Sequence, residues 1–214
     1  MDMPCEGKAF FIQEYFSGFR KKIERLDELF KGTFEEEVWT LCVVYIDQLA
    51  SGRYCDGQEK NHENFCRALS ELSGDRFFGM IHPRQLSDVA QTRNQAIRDV
   101  VSQFVKNHPD QFIEQETFKQ FVQQSSLTES VKSCLIANLW RASVASICYE
   151  RIRCQAVHGP GWSSTLTFDK TAYDGALGAR VDYGRLRDAL YGVLREVESL
   201  SLHSEEWFGN PLYK

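Results

Sequence analysis

No stretch of about 18 consecutive apolar residues occurs in the chain, so no transmembrane helix is expected. The features of a secretory leader are missing too. Met1 to Phe16 mixes Asp, Glu and Lys into its apolar positions and lacks a basic start followed by an apolar stretch. The seven cysteines are odd in number and scattered, which excludes a simple disulfide framework and reads as reduced thiols in a cytoplasmic protein. Positive charge is not in excess: the net charge of −5 argues against a general nucleic-acid coat protein. The chain has no internal repeat, low-complexity tract, glycine-rich phosphate loop, P-loop lysine or nucleophile elbow.

What is present is ordinary globular material. The 214 residues are 43% hydrophobic and 26% charged, with 15 Phe, 4 Trp and 8 Tyr to fill a core. A chain of this length is expected to form one domain, 1–214. Helix signals dominate. A first helix is predicted over about Phe10–Phe30, stopped by Gly32. Thr33-Phe-Glu-Glu36 has capping-box spacing and would open a second helix through Val38, Leu41, Val44, Tyr45 and Leu49. A polar loop, Cys55 to Asn61, leads to a short helix ending at Ser73-Gly74. Pro83 suits the first turn of a helix running through Val89, Ile97, Val101 and Val105, which Asn107-His108-Pro109-Asp110 breaks. A segment around Phe112–Val122 closes the N-terminal group of helices, 1–125.

The clearest periodicity follows. Ser126-Leu-Thr-Glu129 repeats the capping-box spacing, and Val131, Leu135, Leu139, Ala142, Ala145, Tyr149, Ile152 and Ala156 step by three or four. This predicts one long helix over 126–160, ended by Gly159 and Pro160. Alternation in Ser164–Phe168 and Ala179–Tyr183, around Tyr173-Asp174-Gly175 and Gly178, predicts a β-hairpin at 163–183. A last helix is expected at 184–202 with Leu186, Leu190, Leu194, Val197 and Leu200 inward. The expected fold is all-α: a helical bundle of about six or seven helices with a short β-hairpin before the C-terminal helix.

The chemistry-bearing residues gather late in the chain. From Lys132 to His158 there are four cations (Lys132, Arg141, Arg151, Arg153) and one anion, Glu150, so this segment carries +3 and the remainder −8. A local anion site on an acidic body follows from that asymmetry. Arg153-Cys-Gln-Ala-Val-His158 places a guanidinium and an imidazole near the predicted helix end. Histidine changes charge near neutral pH, and arginine offers a planar fork that matches phosphate oxygens. Together they suffice for cleaving RNA without a metal or other cofactor, because the ribose 2′-hydroxyl is the nucleophile.

On these residues the chain resembles the HEPN superfamily of small helical proteins. The family's signature is an arginine followed, after four to six residues, by a histidine at the end of a late helix, and Arg153 and His158 have four between them. Val44-Tyr-Ile-Asp47-Gln-Leu49 is similar to the family's earlier helix with its inward acidic residue, Asp47 here. The resemblance implies a metal-independent endoribonuclease of toxin or antiviral type. It would act as a homodimer on RNA, with His158 transferring protons, Arg153 holding the phosphate and Asp47 orienting the site. An inhibitory partner protein is also implied for some members. Others are non-catalytic modules that bind a nucleotide or a protein. Two positions depart from the family pattern. Cys154 stands where a polar residue is common, and Pro160 stands where some toxins carry a modified tyrosine.

Arg151 also meets the spacing, with six residues before His158. On an ideal helix Arg151 and His158 share a face, whereas Arg153 and His158 diverge by about 140°. Arg153 is preferred on the resemblance and Arg151 is the alternative. Local capping of the helix end is the competing structural role for both. Elsewhere, Cys55-x6-His62-x3-Cys66 offers three zinc-ligand types without a fourth, so buried cysteines and a surface histidine are expected instead. Cys154 beside two arginines has no evident acid or amide partner for a cysteine hydrolase. Arg180, Arg185 and Arg187, next to Asp182 and Asp188, read as a solvated mixed-charge face.

Overall fold

A computed structural model describes residues 5–32, 34–54, 60–91, 93–109, 111–153, 166–168 and 179–204. Among these residues the fold is all-α, with nine α-helices joined by tight turns. Helix α1 spans Cys5–Lys31, α2 Glu35–Arg53 and α3 Asn61–Leu72. After a 3-10 turn at Arg76–Gly79 come α4 (Pro83–Gln91), α5 (Gln95–Asn107), α6 (Gln115–Gln123) and α7 (Glu129–Ala137). A second 3-10 turn, Leu139–Ala142, leads to α8 (Val144–Cys148), which widens into a π turn over Tyr149–Arg153. The last helix, α9, spans Tyr183–Ser204.

The count of nine exceeds the expected six or seven because two predicted helices are divided. The helix expected to run from Pro83 through Val105 stops at Gln91 and restarts at Gln95. Asn94 is the reason: its side chain accepts the Ile97 amide at 3.0 Å and caps α5. The long helix expected over 126–160 is also broken. Asn138 ends α7, its side chain donating to the Cys134 carbonyl at 2.8 Å. Ser143 then adopts extended backbone (φ −74°, ψ 157°) and caps α8 by accepting the Ser146 amide at 3.1 Å. The Ser126 capping box does not form; Thr128 is the N-cap and makes no cap bond through its side chain. Thr33 lies outside the described residues, and Phe34 holds the N-cap position of α2.

Two hydrophobic clusters explain the break at Ser143. The first gathers α1, α2, α3, the Phe77–Phe78 turn, α8, the π turn and α9 around Phe16, Trp39, Phe65 and Phe78. The second holds Ile81, Leu86, Ala90, Ile97, Val101, Phe104, Ile113, Phe118, Val122, Leu135, Leu139 and Ala142. All twelve fall between residues 81 and 142, so the second cluster is built from one uninterrupted stretch. That stretch leaves and rejoins the first cluster at one neck. His82 N–H donates to the Ala142 carbonyl at 3.0 Å, and Val144 N–H to the Met80 carbonyl at 2.9 Å. Ile81 bridges both Ser143 and Ile113 in antiparallel fashion. From Leu135 to Ile152 the stripe read as one helix is buried as expected, but Leu135, Leu139 and Ala142 belong to the second cluster and Ala145, Tyr149 and Ile152 to the first; Ala156 lies outside the described residues. A continuous helix could not turn from one core to the other; extended Ser143 makes the turn.

Two glycines shape the first cluster. Gly74, at φ +77°, ends α3 where Ser73-Gly74 was expected to stop it. Gly192 lets α9 cross the end of α3: a Cβ there would lie 2.0 Å from the Ser73 carbonyl oxygen. Ahead of α9, Leu166–Phe168 and Ala179–Val181 pair antiparallel over three residues each. The connection expected to make this a hairpin, with its turn at Tyr173–Gly178, lies outside the described residues.

Candidate functional site

The π turn Tyr149–Arg153 carries both candidate arginines, and its position is set from beneath. Tyr149 is buried and stacks on the His62 ring at 4.3 Å and 11°, while its edge meets Phe65 at 5.2 Å. Ile152 is buried in the first cluster. Helix α2, which carries Asp47, packs against this turn. Asp47 is half-buried, with its Oδ1 shielded from solvent. Arg151 projects into solvent. The side chain of Arg153, and all of Cys154, His158, Gly159 and Pro160, lie outside the described residues. Thus α2 and the arginine-bearing turn are neighbours.

Two other histidines flank the same turn. His62, near the start of α3, is half-buried rather than on the surface. Its Nε2 lies 3.0 Å from Ser146 Oγ, and the edge of its ring meets Trp140 at 5.0 Å. Burial, and then the nearby Arg141, pull its pKa down to about 4, so it is neutral at pH 7. The Ser146 pairing has the reach of a nucleophile and base, but Ser146 is fully buried and its hydroxyl has no open side for a substrate. Cys66 is buried beside it, and burial raises its thiol well above the ordinary range, which opposes metal binding as thiolate. Cys66 is buried as expected of the cysteines, whereas His62 is half-buried where a surface position was expected; Cys55 lies outside the described residues. Among the described residues no group of three or more His, Cys, Asp or Glu is placed to hold a metal ion.

His82 stands at the neck and was not singled out in the sequence. It is 3% exposed, its Nδ1 accepts the Arg84 amide at 3.2 Å, and its ring meets Phe112 at 5.3 Å. Burial, then Arg84 and Arg151, hold its pKa down at about 4. Arg84 itself is exposed on the first turn of α4. The next residue, Gln85, donates to Glu150 at 3.4 Å and ties α4 to the π turn. Glu150 is exposed as a residue, yet its neighbours strip part of its hydration and raise its pKa. The Gln85 bond and the charges of Arg151 and Arg141 work the other way.

The charge asymmetry read from the sequence is redistributed by folding. Lys132 is buried, donating to the Gln123 carbonyl at 2.9 Å and to Glu129 at 3.0 Å, so it adds nothing to an open anion site. Arg141 lies over the Trp140 ring at 4.9 Å and stays on the surface. The outlying arginines are engaged elsewhere. Arg185 meets Asp75 at 2.6 Å and lies over Phe77 at 4.0 Å, and Arg187 meets Asp27 at 3.1 Å and Asp188 at 3.0 Å. Arg187 thus has the expected neighbour Asp188, but both arginines are partly covered and pair with carboxylates of other elements; the side chain of Arg180 lies outside the described residues.

Two clefts open away from the π turn. One, of about 630 Å³, lies over the α9–α3 crossing, where Arg20 faces Glu198 and Arg185 faces Asp75. The other, of about 610 Å³, lies between α3 and α6, where Arg67 pairs with Glu71 and Lys119 with Glu116. Neither is lined by a histidine among the described residues. No helix of the described residues is long and apolar enough to cross a membrane.

In comparisons with known proteins, no family model matches the chain, and no curated protein and no solved structure matches it either. The HEPN resemblance therefore rests on the residues quoted for it.

Proposed function

We propose that the chain is a HEPN-like endoribonuclease that cleaves RNA without a metal and works as a homodimer. The observation that carries this reading is the packing of α2, with Asp47, against the π turn that bears Arg151 and Arg153. π turns inside helices recur at functional sites because the extra residue re-aims side chains. In the proposed reaction the ribose 2′-oxygen attacks the adjacent phosphorus and the bond to the 5′-oxygen breaks. The products carry a 2′,3′-cyclic phosphate and a 5′-hydroxyl. His158 transfers the proton between these oxygens, with the partner copy's histidine as the complementary group. Arg153, or Arg151 in its place, binds the phosphate and stabilises the charge that develops on it. Asp47 is a positioning residue.

The test is incubation of mixed RNA with the protein in EDTA, beside His158→Ala. Cleavage that persists in chelator, leaves cyclic-phosphate ends and vanishes in the variant supports the reading. Static light scattering that gives twice the chain mass supports the dimer. Absence of cleavage in both proteins overturns catalysis. A second reading, a non-catalytic HEPN-like module that binds a nucleotide or a protein, is favoured by Cys154. A thiol after Arg153 is a poorer hydrogen-bond donor than the polar residue usual there. It predicts nucleotide-dependent stabilisation against heat with no cleavage.

A further inference from the structure

We infer that Arg84, supplied by the 81–142 stretch, contacts an RNA phosphate together with Arg151. This rests on the RNA-directed reading of the π turn and extends it to a residue 67 positions away from Arg151 in the chain.

Three observations converge on Arg84. The backbone of Arg84 is fixed by a buried group, since its amide donates to His82 Nδ1 at 3.2 Å and His82 is 3% exposed. Its neighbour Gln85 bonds Glu150, the residue before Arg151, at 3.4 Å, so the two arginines belong to one junction between α4 and the π turn. Both side chains are exposed. The neck hydrogen bonds of His82 and Val144 hold that junction at one end, so α4 cannot drift from the turn without breaking the neck. His82 is neutral at pH 7 and contributes no competing charge. Among the described residues Arg141 is a further cation near Glu150, and Asp88 is a further anion near it. Exposed arginines from two elements suit a contact with one or two phosphates rather than a broad basic track. Arginine's planar fork suits the non-bridging oxygens of a phosphodiester, and side chains from two different elements can span successive phosphates of a single strand.

The experiment measures binding of a fluorescein-labelled single-stranded RNA oligonucleotide to the full chain by anisotropy across a salt series. Wild type is compared with Arg84→Gln, Arg151→Gln and Arg98→Gln, the last an exposed arginine on α5. Melting curves verify that each variant is folded. The expected result is weaker binding for Arg84→Gln whatever the RNA sequence, with the slope of log affinity against log salt reduced in magnitude by about 0.7, one phosphate contact's worth. Arg151→Gln should do the same and Arg98→Gln should leave both quantities unchanged. Binding by Arg84→Gln that matches Arg98→Gln, while wild type binds and cleaves, overturns the role of Arg84 and leaves the ribonuclease reading standing. A wild type that does not bind RNA overturns both.

Discussion

The two hydrophobic clusters differ in how the chain builds them. The first joins helices from both ends of the sequence: α1 meets α9 through the Arg20–Glu198 pair and through Tyr183 and Arg187 on Asp27. The second is made wholly of residues 81–142 and joins the first at the Met80–His82 and Ala142–Val144 neck, with side-chain contacts beside it from Gln85 to Glu150, Gln115 to Gly79 and Trp140 to His62. The difference teaches where cooperativity should lie. Contacts between distant parts of the chain form together or not at all, whereas a contiguous stretch can open by itself while the rest stays folded.

The sharpest way to break this comparison is to empty each cluster in turn. Phe16→Ala and Phe118→Ala each remove a fully buried ring and should each cost about 3–5 kcal/mol. Phe16→Ala should raise amide exchange throughout, whereas Phe118→Ala should raise it in α4 to α7 and leave α1 to α3 protected. Equal loosening of both clusters by Phe118→Ala would show that they form a single unit.

Gly192→Ala tests the first cluster at its tightest crossing. Alanine normally stabilises a helix relative to glycine, yet here the new Cβ would meet the Ser73 backbone at 2.0 Å. The expected result is a loss of about 3 kcal/mol in denaturant unfolding, because a backbone atom cannot step aside as a side chain can. A neutral or stabilising outcome would mean that α9 and α3 are less closely crossed.

Acid should act where the clusters meet. His62 and His82 are both held at about 4 against an ordinary 6.5. The unfolded chain therefore binds more protons across that window, and stability is complete above pH 6.5 and falls as the pH drops toward 4. Each histidine contributes at most about 1.4 kcal/mol per pH unit, and His62 less because water reaches part of it. His82→Asn should flatten the fall in melting temperature over this range; an unchanged slope would remove His82 from the account.

The smallest effect is expected at the neck itself. Ser143→Ala removes the acceptor for the Ser146 amide and should cost about 1 kcal/mol. If the neck is what separates the clusters, this variant should also speed exchange of the His82 and Val144 amides more than those of α9.

Much of the helical content was legible from periodicity. Leu186, Leu190, Leu194 and Val197 are buried on α9 as their spacing implied, and Gly74 and Pro83 end and begin helices where their backbone preferences place them. The breaks at Asn94 and Ser143 were not legible. Both residues can sit in a helix or cap one, and only the neighbour to be contacted, Ile81 in the case of Ser143, decides between these. The site shows the same division. Spacing drew attention to Arg151 and Arg153 and the family resemblance to Asp47, and the packing of α2 on the π turn joins the elements that carry them. Arg84 gave no signal, because nothing local distinguishes it from other exposed arginines.

By itself the sequence determined which residues face inward, because an apolar side chain that repeats every three or four positions has to be buried wherever its helix lies. It also determined the local chemistry available, a set of arginines and His158 on an acidic body. Only the tertiary structure decided that one apolar stripe serves two cores, that Lys132 is withdrawn into a carbonyl and carboxylate pocket, and that α4 lies beside the π turn. Those outcomes depend on pairings across tens of residues, and such pairings are settled by which surfaces fit and which backbone groups find partners.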